Sequence, residues 1–159
     1  MQKFEKISFN QFQKDVSSEE ILYQEYSLPV RKTKHSAAYD IEALSDGILH
    51  PGEIQKIPTG LKVCMEEGIF LMIVVRSSMG FKYNVRMCNQ VGIIDKDYYE
   101  NPTNEGHIFI ALQNEGDRDF VYHKGDAIAQ GIFMRYYKTD DDEAEGIRIS
   151  GFGSTNKGE

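Results

Sequence analysis

Phe70-Leu71-Met72-Ile73-Val74-Val75 is apolar at every position and lies between Gly68 and Gly80. Periodicity alone does not separate such a run from a buried helix, but its β-branched residues and flanking glycines favour a strand. A strand with no polar face belongs in the middle of a sheet, covered on both sides. Outward from this run, 69–75, further short runs of β type recur at 53–58, 61–65, 107–113, 118–122 and 128–137, punctuated by Gly, Pro, Asn and Asp. Short strands at regular spacing with frequent turns indicate an all-β barrel or sandwich.

The ends of the chain read differently. Ser8-Phe9-Asn10-Gln11 has the look of a capping box, with Phe9, Phe12 and Val16 on one helical face, and Ser17-Ser18-Glu19-Glu20 offers a second start that runs to about Tyr23 before Leu28-Pro29 breaks it. The sequence therefore divides into an N-terminal helical extension (1–27), a β domain (28–138) and an acidic linker with a C-terminal arm (139–159). Thr139 to Gly146 carries Asp140, Asp141, Asp142, Glu143 and Glu145, which gives it little to bury. Arg148-Ile149-Ser150-Gly151-Phe152-Gly153-Ser154-Thr155 then combines a cation, glycines, hydroxyls and one ring, a composition suited to closing over a phosphorylated ligand.

With 159 residues and 40% hydrophobic content, the chain can bury a core of its own without metal or disulfide staples. A formal net charge of -7 argues against a general nucleic-acid or membrane surface, both of which need a basic field. Cys64 and Cys88 show neither C-x-x-C spacing nor a metal-ligand spacing to any histidine, so they read as reduced thiols and point to an intracellular, cytoplasmic setting. No run of 18 apolar residues occurs, and the N-terminus has no signal-peptide pattern.

Asn89-Gln90-Val91-Gly92-Ile93-Ile94-Asp95-Lys96-Asp97-Tyr98 sets an amide, a carboxylate and a ring around an apolar turn. In extended conformation Ile93, Asp95 and Asp97 share one face, while Ile94 and Lys96 point away. A carboxylate among apolar neighbours is either paired or working.

Five blocks follow one another in the chain: Ala37-Ala38-Tyr39-Asp40-Ile41, Arg76-Ser77-Ser78-Met79-Gly80, Gly92 to Tyr98, Gly125-Asp126-Ala127-Ile128-Ala129-Gln130, and Gly151-Phe152-Gly153-Ser154-Thr155. In this order they resemble the trimeric dUTPases, over roughly residues 34–155, and five ordered matches are far more specific than any one of them. The resemblance implies a jelly-roll-like β-barrel, a homotrimer, and active sites assembled from three chains, with the arm crossing onto a neighbour. It also implies hydrolysis of dUTP to dUMP and pyrophosphate, which keeps uracil out of DNA.

Residue by residue, the resemblance assigns Asp95 to water positioning and general-base catalysis. Tyr98 matches the ring beneath the deoxyribose, where it would exclude a 2′-hydroxyl by contact, and Tyr99 should face away. Asn89 and the backbone of Gly92, Ile93 and Ile94 correspond to the hairpin that reads uracil. Fixed backbone partners satisfy uracil and leave cytosine unpaired, while an apolar wall rejects the thymine methyl. Arg76, Ser77, Ser78 and Gln130 correspond to phosphate-holding residues, with Asp126 ordering the turn before Gln130. Asp40 corresponds to the acidic residue that holds Mg2+ largely through water, as expected of an ion that keeps several waters. Phe152 would cover the base, and Gly153, Ser154 and Thr155 would reach the γ-phosphate, with Arg148 as a further contact.

The chain departs from the family pattern at Glu100 (commonly Gly), at an extra loop over Asn101 to Gly106, and at Ala127 (frequently Arg). Arg148 also stands one residue closer to Gly151 than is usual, and Asn156 replaces a common Gly. The alternatives are a regulatory protein-binding module on the same scaffold, switched by nucleotide, which the extra loop and residues 1–27 would serve, and a dCTP deaminase-like enzyme. The deaminase reading lacks the threonine-leucine-glutamate stretch after the third block.

Overall fold

The computed structural model describes residues 1–151. Its centre is strand β6 (Ile69–Val74), hydrogen-bonded on one edge to β11 (Ala127–Arg135) and on the other to β8 (Gly92–Ile94). Within β6, Ile69, Leu71 and Ile73 are buried, whereas Phe70, Met72 and Val74 are half-buried. The run is thus central, as its composition predicts, but only one of its faces is fully covered. β2 (Tyr39–Glu42) completes this sheet in the order β2-β11-β6-β8. A second sheet takes the order β4 (Ile54–Pro58), β9 (Phe109–Asn114), β7 (Val85–Met87).

Two short antiparallel pairs close the remainder. β3 (Gly47–Leu49) joins β10 (Phe120–Tyr122), and β1 (Lys3–Lys6) joins β5 (Leu61–Cys64). All the pairings between strands are antiparallel, and the result is the all-β jelly-roll barrel the sequence points to.

Both expected N-terminal helices form. α1 (Phe9–Asp15) is capped by Ser8, whose Oγ accepts from Gln11 N at 3.1 Å, and α2 (Glu20–Glu25) runs two residues past the expected end. A side-chain cap of this kind is worth about 1 kcal/mol. β1 ahead of them is not legible in the sequence. It alternates and sends Phe4 into the core, where Ile7, Phe12 and Tyr26 join it, so these residues pack directly on the barrel.

A third helix, α3 (Ser77–Tyr83), likewise has no clear pattern in the sequence. It buries only Met79, too little for a helical period to stand out. The stretch expected to stay extended through Asp97 instead leaves the sheet after Ile94 and turns in a 3₁₀ turn, Lys96–Tyr98. Tyr98 is therefore buried through that turn and not through strand alternation. Among the described residues no helix is long and apolar enough to cross a membrane.

Candidate active site

The hairpin between β7 and β8 is built on a tight turn. Gln90 N donates to Met87 O at 3.1 Å, and Gln90 takes a positive φ of 68°. β7 belongs to one sheet and β8 to the other, so the turn sits where the barrel opens. Gly92 is tight here, since a Cβ would come within 3.2 Å of the Ile73 Cβ.

A cavity of about 360 Å³ opens beside this hairpin. Of the residues singled out in the sequence, it gathers Asn89, Gly92, Ile93, Ile94, Asp95, Tyr98 and Arg148. Its back wall adds Phe109 and Ala111, which the sequence reading did not select. Along β9, Ile110 and Leu112 are buried and Phe109 and Ala111 share the opposite face; all four are apolar, so the sequence alone does not say which pair meets the cavity.

Tyr98 forms the floor. Its hydroxyl donates to the His107 carbonyl at 2.7 Å and accepts from Asn104 Nδ2 at 2.9 Å, while burial pushes its pKa up and keeps it protonated. Tyr99 goes the other way, its hydroxyl donating to Glu5 at 2.8 Å. The extra loop is compact: Asn101 Nδ2 donates to Tyr98 O, and Gly106 turns back against the same carbonyl with φ +84°. A Cβ at Gly106 would lie 2.6 Å from that oxygen.

The arm reaches this cavity too. Arg148 bridges two carboxylates, with its Nε 2.7 Å from Asp97 and its terminal nitrogen 2.7 Å from Asp95. Thr103 Oγ1 donates to Ile149 O at 2.8 Å, and a Cβ on Gly151 would stand 2.8 Å from the Tyr98 ring, so only glycine lets the arm come this close. The resemblance implies an arm that crosses to a neighbour; here residues 148–151 lie against the chain's own pocket, and Arg148 pairs with Asp95 and Asp97. Phe152, Gly153, Ser154 and Thr155 lie outside the described residues.

The other selected residues form a second group. Asp40 pairs in register with Gln130, and Gln130 with Val74, so the first two share a sheet face with the end of β6. Arg76 Nε stands 4.0 Å from Asp40 Oδ1, and Ser77 and Ser78 are exposed at the start of α3. Asp40 is 6% exposed, and its Oδ2 is buried with no hydrogen-bond partner among the described residues. Asp126 accepts from His123 N at 2.8 Å, ordering the turn before β11.

The two groups lie apart. Ile94, next to Asp95, pairs with Leu71, and Arg76 follows Leu71 by five positions. At the rise of an extended chain this is roughly 16 Å.

An antiparallel barrel with a hairpin-walled cavity, a carboxylate at its mouth and a C-terminal arm across it defines an all-β protein built to enclose a small ligand. The dUTPase family profile matches residues 24–159. The chain belongs to the dUTPase family. It is 47% identical over 131 residues to the deoxyuridine 5'-triphosphate nucleotidohydrolase of Lactococcus lactis, covering 81% of this chain and 87% of that one. The enzyme of the same name from Desulfitobacterium hafniense is 37% identical over 136 residues, covering 80% and 86%. Among solved structures, dUTPase from Streptococcus mutans aligns with a TM-score of 0.69 at 35% identity, over 86% of this chain and 98% of that one. A dUTPase from phage phi11 of S. aureus, described for its coordination of a structural Mg(II) ion, shares the fold with a TM-score of 0.65 at 19% identity, over 92% and 97%.

Proposed function

We propose that this chain hydrolyses dUTP to dUMP and pyrophosphate. The observation that carries the reading is that Asp95, Tyr98, and Asn89, Gly92, Ile93 and Ile94 of the hairpin line one cavity. The hairpin offers amide groups to a pyrimidine edge, Tyr98 offers a ring to a sugar, and Asp95 stands at the mouth, where the phosphates would leave the pocket. Asp95 orients a water and takes its proton as the water oxygen bonds to the α-phosphorus, the bridging P–O bond to the β-phosphate breaks and pyrophosphate leaves. The arm excludes solvent, which strengthens every charge interaction at the reacting group.

Donors for the developing charge come from the second group. Arg76 offers a forked donor, Ser77 and Ser78 rotatable hydroxyls, and Gln130 an amide. Because this group stands well away from Asp95 in one chain, it serves the pocket of another copy, as in the homotrimer the resemblance implies. An incompletely covered stripe favours association: Phe70, Met72, Ile132 and Met134 share the Gln130 face of the sheet, with Ile93 paired to Met72, and Ile93 is 49% exposed.

Mg2+ fits the donor set in one way. Among the described residues no group of three His, Cys, Asp or Glu is arranged to hold a metal, but the orphaned Asp40 Oδ2 is a buried acceptor awaiting a donor. Asp40 would accept from a metal-bound water, with substrate oxygens supplying the other ligands. The ion would supply charge neutralisation along the triphosphate. Chelating Mg2+ is therefore expected to suppress turnover, with recovery on adding it back, measured by pyrophosphate release.

Purified protein should release pyrophosphate from dUTP far faster than from dCTP, dTTP or UTP. Equal rates on all four would remove the pocket reading. Faster ammonia release from dCTP would instead favour the deaminase. The relatives carry the dUTPase name, and neither the deaminase nor the regulatory module gains support from them.

A further inference from the structure

His107 is fully buried, yet it is hydrogen-bonded at both ring nitrogens and at its carbonyl. Gly60 N donates to Nε2 at 2.9 Å, so Nε2 is an acceptor and the ring proton resides on Nδ1. Nδ1 then donates to Asp15 Oδ2 at 2.6 Å, an oxygen that also receives Gln11 Nε2 at 2.8 Å. Burial holds His107 below the usual histidine value, in keeping with this neutral tautomer. Asp15 ends α1, so a residue of the N-terminal helix fixes the rotation of a ring 92 positions away.

That ring leads to the cavity by two routes. The His107 carbonyl accepts the Tyr98 hydroxyl at 2.7 Å, and its imidazole lies 4.2 Å from the Phe109 ring, which lines the cavity wall. Asn104 completes the hydroxyl by donating to it at 2.9 Å. The extra loop is tied to the same N-terminal segment, since Glu105 accepts from Ser8 N at 2.9 Å. Neither Asp15 nor His107 touches the cavity.

We propose that Asp15 and His107 are positioning residues for sugar selection: through the His107 carbonyl and Asn104 they hold the Tyr98 ring at the height that excludes a 2′-hydroxyl. The proposal rests on the reading that Tyr98 meets the deoxyribose. Exclusion by contact needs a platform that does not yield, because a ring that retreats by a fraction of an ångström admits the extra oxygen. Contact residues keep such tolerances only when neighbours lock them. This gives the N-terminal helix a task in the reaction.

The test is the ratio of kcat/KM for dUTP to that for UTP. Asp15→Ala removes the acceptor for Nδ1 and is expected to lower the ratio about tenfold or more, mainly by raising the value for UTP. Asp15→Asn keeps a carbonyl oxygen for His107 and is expected to hold the ratio within about twofold. A merely structural role would lower both nucleotides together and leave the ratio unmoved. Should Asp15→Ala not fold, Asn104→Ala, which frees the Tyr98 hydroxyl from the loop side, carries the same expectation. Tyr98→Ala separates the two readings. If it keeps discrimination, the assignment of Tyr98 falls and the inference with it. If it loses discrimination while Asp15→Ala and Asn104→Ala retain it, the inference alone is overturned, as it also is if Asp15→Asn falls as far as Asp15→Ala.

Discussion

Asp95→Asn is expected to leave nucleotide binding nearly intact and to lower turnover by about two orders of magnitude or more, the contribution of a positioned general base. The amide keeps the shape of the carboxylate and can still orient a water, but it cannot take the proton. The ground-state cost is small by comparison. Asp95 is half exposed, and the bond it loses is one arm of the Arg148 bridge, whose other arm to Asp97 remains. An ion pair with one partner so open to solvent is worth about 0–1 kcal/mol, or at most roughly fivefold in affinity. Calorimetric titration with a non-hydrolysable dUTP analogue, beside pyrophosphate release under saturating dUTP, separates the two effects. Full turnover in this variant would take Asp95 out of the mechanism; loss of binding in step with turnover would make it a structural residue of the pocket.

What could be read from the sequence follows from how locally each feature is encoded. The runs at 53–58, 61–65, 69–75, 107–113, 118–122 and 128–137 each hold a strand, because alternation or continuous apolarity is visible within six or so residues. β3 and β7 are three residues each and mix Gly or Arg with apolar residues, whereas the equally short β10 is Phe-Val-Tyr, β-branched or aromatic throughout. α3 shows no apolar face because only Met79 is buried. Tyr98 is placed in the pocket wall by a 3₁₀ turn, an arrangement that the extended reading of this stretch does not contain.

The candidate site was legible as a set of residue types and not as an arrangement. Nothing in the order of the blocks says that Asp95 and Arg148 meet, or that Asp40, Arg76 and Gln130 collect at the far end of the same sheet. Strand register decides that, and register is a property of pairs distant in sequence. The Asp15–His107 contact belongs to the same class: neither residue carries a local signal, and the bond exists only because β1 and α1 pack against the barrel.

The separation of the two groups leads to a result that a site built within one chain would not give. Arg76→Ala and Asp95→Asn, each assayed alone, are expected to be nearly inactive, since every site in either oligomer lacks one partner. When the two variants are mixed, unfolded and refolded together, the proposed shared site would draw its Asp95 and its Arg76 from different chains. Random assembly makes the Asp95 donor intact in half the sites and the Arg76 donor intact in half of those. About one quarter of wild-type turnover should therefore return, a closed symmetric oligomer giving every site the same pair of donors. If one chain supplied both groups, no chain in the mixture would hold an intact pair and nothing would return. Light scattering on the refolded mixture checks the premise, since the expected mass is three times the 18.2 kDa of the chain. Trimers without recovered activity would place Arg76 and Asp95 in the same site of one chain and overturn the separation read from the Ile94–Leu71 pairing.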